Sequence, residues 1–454
     1  MGKLRGFRSD EGILNLRVTL HLARIAGLTG WSAAGLIPAY VRFLFDRDRA
    51  AWLARVGAAL ARLCERCGPA AIKLAQIAAA RGDLLPPDLI GTLARVHDAV
   101  RPPGERAIRR VLAQAYGPPA DWPFEIASWV PVASGSIAVV LDAHTSDRGR
   151  IAIKLLRRGI AGRVDADLRA IDVLLGLVER RRAFRALPLS RVMADLAGPI
   201  RAQCDLAAEA ESARRLHEIA GPQVVIALPI PALSGRGAMA MAFVPARHQF
   251  SARTPDAIYR PAILGVLHFL YRMIFIHGFL HCDLHPGNVA IADDGRPIVY
   301  DYGLVAELAP RDRRAFAGLF GAIRAGDGRW ATDEVLRVAA CIPPGFDRRA
   351  FEAGMVEIVA RWSGRPASEF LVAALVRALF ELQYRHGVVS VPGFASAVWA
   401  LATFEGLIRA RCPDLDFQAE ARPFLVSQLL ADIRSQRQGG ATSRAYPRHA
   451  SSRA

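Results

Sequence analysis

Residues 281–288 read His-Cys-Asp-Leu-His-Pro-Gly-Asn, and thirteen positions beyond that Asn comes Asp301-Tyr302-Gly303. A turn this polar, set between apolar runs, holds side chains for something other than a core. Asp283 and Asn288 stand five residues apart, and Asp301 adds a second carboxylate. Such oxygens suit Mg2+, which is bound by one or two carboxylates together with phosphates and water. Upstream, Ile151-Ala152-Ile153-Lys154 ends an apolar run on an ammonium. The chain has only three lysines, Lys3, Lys73 and Lys154, against 56 arginines. Where Lys persists in so Arg-rich a chain, a compact ammonium is wanted against one phosphate or one carboxylate. Phosphoryl transfer asks for these parts, because it rests on positioning and on neutralising charge. His281, Asp283 and His285 also have the residue types of a zinc site, a metal-hydrolase reading that leaves Lys154 and Asp301 without a role.

These residues must be held by particular elements. Residues 1–60 are helix-prone and rich in Ala, Leu and Arg, and helices continue to residue 116, broken at Pro86-Pro87 and Pro102-Pro103. From Phe124 the pattern alternates with period two: "SIAVVLDAHT" and "RIAIKLL", joined by a polar turn, predict a β-hairpin carrying Lys154. Residues 160–219 return to helix with an interruption expected at Gly198-Pro199, and "QVVIALPI" and "GAMAMAFV" predict two further strands. A long apolar helix over 256–279 leads into the polar turn. "NVAIADDGRPIVYDYG" predicts a second hairpin, residues 310–432 are mostly helical, and 433–454 read as a disordered tail. A small β-rich lobe followed by a helical lobe, with the polar loop between, is the order of a bilobal kinase fold of the α+β class. "IAIK", His281-x-Asp283-x-x-x-x-Asn288 and Asp301-Tyr-Gly then stand where kinases carry V-A-I-K, H-R-D-x-x-x-x-N and D-F-G.

The 454 residues, 52% hydrophobic, suffice for two or three domains with a sizeable core. The net charge of +17 comes from arginines spread along the whole chain, so no nucleic-acid partner is expected. Six cysteines without framework spacing, and no signal peptide, point to free thiols in a reducing compartment; Cys64-x-x-Cys67 is assigned no role. Residues 25–41 and 387–404 are uncharged but too short and too rich in small residues for a membrane span. The second reads as a core helix, and the first as a segment able to lie on a bilayer.

Several further stretches resemble the UbiB family of atypical kinases, also called the AarF or ADCK group. Lys73-Leu-Ala-Gln76, followed by Asp83-Leu-Leu-Pro-Pro87, looks like the family's Lys-x-Gly-Gln segment; Ala133, Ser134, Gly135 and Ser136 occupy its alanine-rich nucleotide loop. "QCDLAAEAESARRL" (203–216) is similar to its Glu-x-Asp helix, and "FEGLIRARCPDLDFQAEARPF" (404–424) to its E-G-x-x-R ending. The resemblance covers about residues 60–425 and departs from the family pattern at Ala75, Gln203 and Gly135.

The resemblance implies Mg-ATP bound between two lobes. Lys154 and Glu209 would serve the phosphates, Asp283 the reaction and Asn288 and Asp301 the metal. Lys73, Gln76, Gln203 and Asp205 would be regulatory, with Asp205 the expected charged partner of Lys73. It also implies an atypical kinase or ATPase in ubiquinone or related isoprenoid-quinone biosynthesis, peripheral on the cytoplasmic side of a bacterial inner membrane. Quinone precursors, other isoprenoid lipids and quinone-biosynthesis enzymes would be its partners. A small-molecule phosphotransferase of the aminoglycoside or choline kinase type and a catalytically weak nucleotide-binding scaffold are the alternatives. The expected divisions are an N-terminal helical segment (1–60), a helical extension with the Lys-x-Gly-Gln-like motif (61–123), a small lobe (124–245), a large lobe (246–432) and the tail (433–454).

Overall fold

The computed structural model describes residues 5–79, 102–180, 189–365, 368–409 and 411–442. The Asp83–Pro87 stretch lies outside them. Three helices open the chain: α1 (Arg5–Asp46), α2 (Arg49–Cys67) and α3 (Pro69–Ala79). They are followed by α4 (Glu105–Tyr116) and by the antiparallel strands β1 (Glu125–Ser134), β2 (Ala138–Thr145) and β3 (Gly149–Leu156). Then come helices α5 (Ile160–Glu179), α6 (Leu189–Ala202) and α7 (Leu206–Ala220), with short β4 (Val225–Ile226) before β5 (Ala238–Ala242). The sheet order is β1-β2-β3-β5.

Period-two alternation decides where Lys154 points. Ile151, Ile153 and Leu155 are buried against Leu141 and against Ile108 and Leu112 of α4. Ala152 and Lys154 therefore project from the opposite face, toward the interlobe cleft.

After β6 (His248–Gln249), helix α8 (Asp256–Tyr271) runs through the core of the large lobe, with Ile263, Val266, Leu267 and Leu270 fully buried. A π-turn over Arg272–His277 ends it at Gly278. Gly278 has φ 66°, and a Cβ there would stand 2.6 Å from the Leu308 carbonyl oxygen, so both backbone and space require glycine. Asp256–His277 is apolar enough to cross a membrane, but most of it is buried inside the protein, as befits a core helix. Four short strands frame the polar loop: β7 (Phe279–His281), β8 (Val289–Ile291), β9 (Pro297–Val299) and β10 (Val305–Glu307). β7 pairs with β10, and β8 with β9. Helices α9 (Pro310–Ala325), α10 (Gly328–Arg337), α11 (Arg348–Trp362), α12 (Val372–His386), α13 (Pro392–Arg409) and α14 (Phe417–Thr442) complete the lobe. This is the α+β bilobal kinase-like architecture.

Three local expectations are corrected. α6 runs through Gly198-Pro199 to Ala202, its buried Met193, Leu196, Ala197 and Ile200 outweighing the bond lost at proline. "QVVIALPI" yields only the two-residue β4, paired in parallel with Ile298–Val299, plus a single bridge at Pro229. The tail expected to be disordered from residue 433 continues as helix to Thr442, as the last turns of α14; Arg434, Gln436, Arg437 and Gln438 favour helix, and the helix persists across Gly439-Gly440.

Candidate active site

A cleft of 460 Å³ lies between the lobes. One end is apolar, lined by Val140, Ala152, Met241, Phe243 and Val244; the other is polar, lined by Lys73, Lys154, Gln203, Glu209, Asn288 and Asp301. Lys154 Nζ donates to Glu209 Oε1 at 2.6 Å and to Asp301 Oδ1 at 2.8 Å. Residues 55 and 147 positions apart thus meet on one ammonium. Glu209 is buried on α7, and Asp205 caps that helix by accepting from the Ala207 and Ala208 amides.

Burial alone would lower the Lys154 ammonium, but the carboxylates of Asp301 and Glu209 outweigh it and hold the group above the usual lysine range. Glu209 is shifted upward because its burial outweighs the pull of Lys154. For Asp301 burial opposes ionisation, yet Lys154 wins and holds the carboxyl well below the usual range, with the Lys73 charge acting in the same direction. About half of the Asp301 side chain (48%) stays open to the cleft, so the ionised form has access to a further cation.

Asp301 has φ 55°, a left-handed backbone rare outside glycine but tolerated by Asp and Asn. Its two neighbours pin it there. Tyr300 donates its amide to the Asn288 carbonyl at 2.8 Å and its hydroxyl to the Val244 carbonyl at 3.1 Å. Tyr302 is fully buried, its hydroxyl accepting from the Ala227 amide at 2.9 Å and donating to the Val299 carbonyl at 2.8 Å. The Tyr in Asp-Tyr-Gly is therefore more than a kept aromatic ring, since its oxygen ties the segment to β9 and to the chain beyond β4. Tyr302→Phe leaves the Ala227 amide unsatisfied and is expected to cost about 1–3 kcal/mol of stability, read as a lowered urea midpoint; an unchanged midpoint would show that water replaces the hydroxyl.

In the polar turn, His281 is fully buried and neutral, with burial pulling its pKa down. Its Nδ1 accepts from the Asp283 amide at 3.1 Å, which assigns the proton to Nε2, 3.1 Å from the Tyr300 carbonyl oxygen. Both ring nitrogens are spent on shaping the loop, and among the described residues no three His, Cys, Asp or Glu side chains converge as metal ligands. This removes the zinc-hydrolase reading. Burial pushes the Cys282 thiol up to about 12, so it is no nucleophile. Asn288 Nδ2 donates to the Asp283 carbonyl at 3.0 Å and to Asp283 Oδ2 at 3.3 Å, leaving the amide oxygen as the group available to a cation. At Gly287 a Cβ would press on the His285 ring at 2.8 Å.

Ala133, Gly135 and Ser136 line the cleft, whereas the Ser134 hydroxyl is turned to Arg157, 2.8 Å away. Lys73 reaches the cleft from α3, beside Gln203. Gln76 lies on the same helix, its side chain outside what is described. Asp205, expected as the charged partner of Lys73, commits one oxygen to the cap of α7 and the other to Arg236 at 3.0 Å; the carboxyl on which the Lys73 charge acts is Asp301.

Sequence reasoning missed how the 404–424 motif works. Glu405, buried on α13, accepts from the Val372 and Ala373 amides at 2.8 and 2.6 Å, capping α12, and pairs with Arg409 at 2.9 Å. Arg409 also donates to the Ser368 and Phe370 carbonyls. Arg411 holds Asp256 and the Thr254 carbonyl while stacking on Tyr259, and Asp414 grips Arg260 with both oxygens. The motif thus braces α8, which leads into the polar turn. A Glu and an Arg four apart inside the apolar run "FEGLIR" were the available signal.

The chain's residues 95–333 match the family model described as the ABC1 atypical kinase-like domain. Proteins named "Probable protein kinase UbiB" from Xanthomonas campestris pv. campestris are 30% identical over 389 residues, which is 81% of this chain and 69% of theirs. One of the same name from Marinobacter nauticus is 28% identical over 80% of this chain and 68% of its own. This chain belongs to the UbiB family of atypical kinases. A Mycobacterium tuberculosis structure titled as the complex of Rv3197 with erythromycin aligns over 69% of this chain and 84% of that one, at 17% identity and a TM-score of 0.47. With the family established, the kinase-like fold and membership of a phosphotransferase class of enzymes follow for this UbiB-like chain.

Proposed function

We propose that the cleft binds Mg-ATP and that the chain acts as an atypical kinase or ATPase in isoprenoid-quinone biosynthesis. The observation that carries this is Lys154, held between the carboxylates of Glu209 and Asp301 at the polar end of a cleft whose other end is apolar. The residues fit the group. An open carboxylate and a free amide oxygen are what Mg2+ takes when phosphates complete its shell, and a dedicated cage is not needed. The flat apolar end beside Met241 and Phe243 suits a base. Bound Mg2+ neutralises charge on the transferring phosphoryl group.

The chain's own residues do the rest. Glu209 fixes Lys154 so that its ammonium meets phosphate without reorganising. Asn288 and Asp301 present oxygens to the metal, and Asp283 stands ready for the hydroxyl or water whose proton must leave. The backbone of Ala133–Ser136 covers the phosphates. Calorimetric titration with Mg-ATP, run beside phosphate release with and without quinone-precursor mimics, tests the reading: binding with release is expected. Binding without release assigns a scaffold, and no binding by folded protein overturns the site.

Lys73 enters the same cleft, and in this reading it regulates access. Lys73→Ala is expected to change nucleotide affinity or turnover about tenfold, the loss of one charge-assisted contact, without unfolding. An unchanged titration and rate would remove its regulatory role.

Membrane contact is proposed for α1. Trp31 (74% exposed), Ile37, Val41 and Phe45 (85% exposed) lie along one uncharged side of that helix, with Arg24 and Arg42 near its flanks. An apolar helix face of this kind enters the headgroup boundary while arginines stay with the phosphates. Changing Ile37, Val41 and Phe45 together to Asp is expected to shift the protein from the membrane pellet to the supernatant; unchanged partitioning sinks the assignment.

A further inference from the structure

Among the described residues, Phe243, Tyr300 and Tyr302 are the aromatic side chains that line the cleft. Tyr302 is fully buried, and Phe243 carries the Arg150 guanidinium 3.7 Å from its ring centre. Tyr300 is half-buried, and its ring meets no other aromatic ring and no arginine among the described residues. Its side chain runs along the cleft. The backbone adjoins Asp301 at the polar end, and the hydroxyl donates to the Val244 carbonyl at the apolar end, 3.1 Å away. Burial raises the phenol above its usual range, so the hydroxyl keeps its proton and remains a donor. Tyr300 follows β9 of the large lobe, whereas Val140 and Ala152 stand on β2 and β3 of the small lobe. A flat ligand entering this end therefore meets an aliphatic wall on one side and an aromatic one on the other.

Val244 stands between β5 and β6, where the chain leaves the small-lobe sheet. Its carbonyl is engaged by Tyr300 from within the cleft, and its amide has no hydrogen-bond partner among the described residues. Pro245 follows and supplies no amide. At this point the wall offers the edge of a ligand a donor and withholds an acceptor.

We propose that Tyr300 selects the nucleobase: its ring walls the base on the large-lobe side, and its hydroxyl, by occupying the Val244 carbonyl, favours adenine over guanine. Adenine presents an unprotonated ring nitrogen on its pairing edge and can accept from the Val244 amide. Guanine carries an N–H at that place with an exocyclic amine beside it, and both ask for the acceptor that Tyr300 has engaged. A donor shut into a cleft without an acceptor costs more than a made bond is worth, and that difference is what discriminates between the bases. This inference rests on the nucleotide reading of the cleft and adds to it which base is bound and why.

The test titrates Mg-ATP, Mg-GTP and magnesium tripolyphosphate, which has the phosphates without a base, into the full chain and its Tyr300→Phe and Tyr300→Leu variants. Wild type is expected to bind Mg-ATP more tightly than Mg-GTP. Tyr300→Phe keeps the ring and frees the Val244 carbonyl, so the preference for Mg-ATP over Mg-GTP should narrow by about fivefold, the worth of one hydrogen bond. Tyr300→Leu removes the ring and should weaken both nucleotides by about tenfold, the worth of one base stacked on an aromatic ring, with tripolyphosphate unchanged. An unaltered Mg-ATP to Mg-GTP ratio in Tyr300→Phe overturns the selection. Tripolyphosphate weakened by Tyr300→Leu as much as Mg-ATP is would make the ring a structural support and overturn the base wall. Wild type that binds Mg-ATP beside variants that match it in every titration overturns the role of Tyr300 alone, whereas folded wild type that binds neither nucleotide overturns the cleft reading and this inference with it.

Discussion

Asp301→Asn is expected to abolish Mg-ATP-dependent stabilisation and to lower turnover by roughly 10²–10³-fold, the cost of removing one group aimed at transferring charge. The substitution is chosen for its backbone. Asp301 sits at φ 55°, where Asn is among the few residues tolerated, so the loop keeps its course and the variant folds. Alanine at the same place would add strain and confuse the result. Lys154 retains Glu209, so its ammonium is not left alone among apolar groups. What disappears is an open anionic oxygen at the polar end of the cleft. In the wild type, ligand at a hundredfold excess over its Kd stabilises the native state by about 2.7 kcal/mol. A melting curve of the variant that no longer responds to Mg-ATP is the expected outcome, and a full response would place the metal elsewhere.

Glu405→Ala has the largest expected effect on stability, a loss of about 3–5 kcal/mol, because it breaks a buried ion pair and removes a helix cap in one step. Arg409, 18% exposed in its side chain, loses its carboxylate, and the Val372 and Ala373 amides at the start of α12 lose their acceptor. Domains hold only about 5–15 kcal/mol in total, so the urea midpoint should fall steeply. Glu405→Gln, which keeps an oxygen for one of the two amides, should fall less. A Glu405→Ala protein within about 1 kcal/mol of wild type would mean that carbonyls around Arg409 suffice to hold the corner.

Much of the candidate site was legible because its parts are local. His281 to Asn288 lie in one turn, and the five-residue spacing of Asp283 and Asn288 survives as a direct contact between their side chains. Period two in "RIAIKLL" assigned Lys154 to a strand, and the scarcity of lysine singled out both Lys154 and Lys73. Less legible were residues whose work depends on a distant partner. The Tyr302 hydroxyl finds the Ala227 amide 75 positions away, and Tyr300 reaches Val244. Neither tyrosine differs in sequence from one that merely fills a core. Asp205 was assigned to Lys73 from the resemblance, because Gln203 carries no charge; in the structure its oxygens serve the amides at the start of α7 and Arg236, contacts that the local sequence did not single out.

The sequence by itself singled out the candidate site residues and the kind of element on which Lys154 and the polar turn stand, since residue type and spacing act within a turn or two of the chain. Only the tertiary structure decided that Glu209 and Asp301 share one ammonium, that Lys73 enters the cleft, and that Arg157 holds the loop at its edge. Those are contacts between residues tens of positions apart, and their geometry follows from the packing of whole elements, which no local pattern encodes.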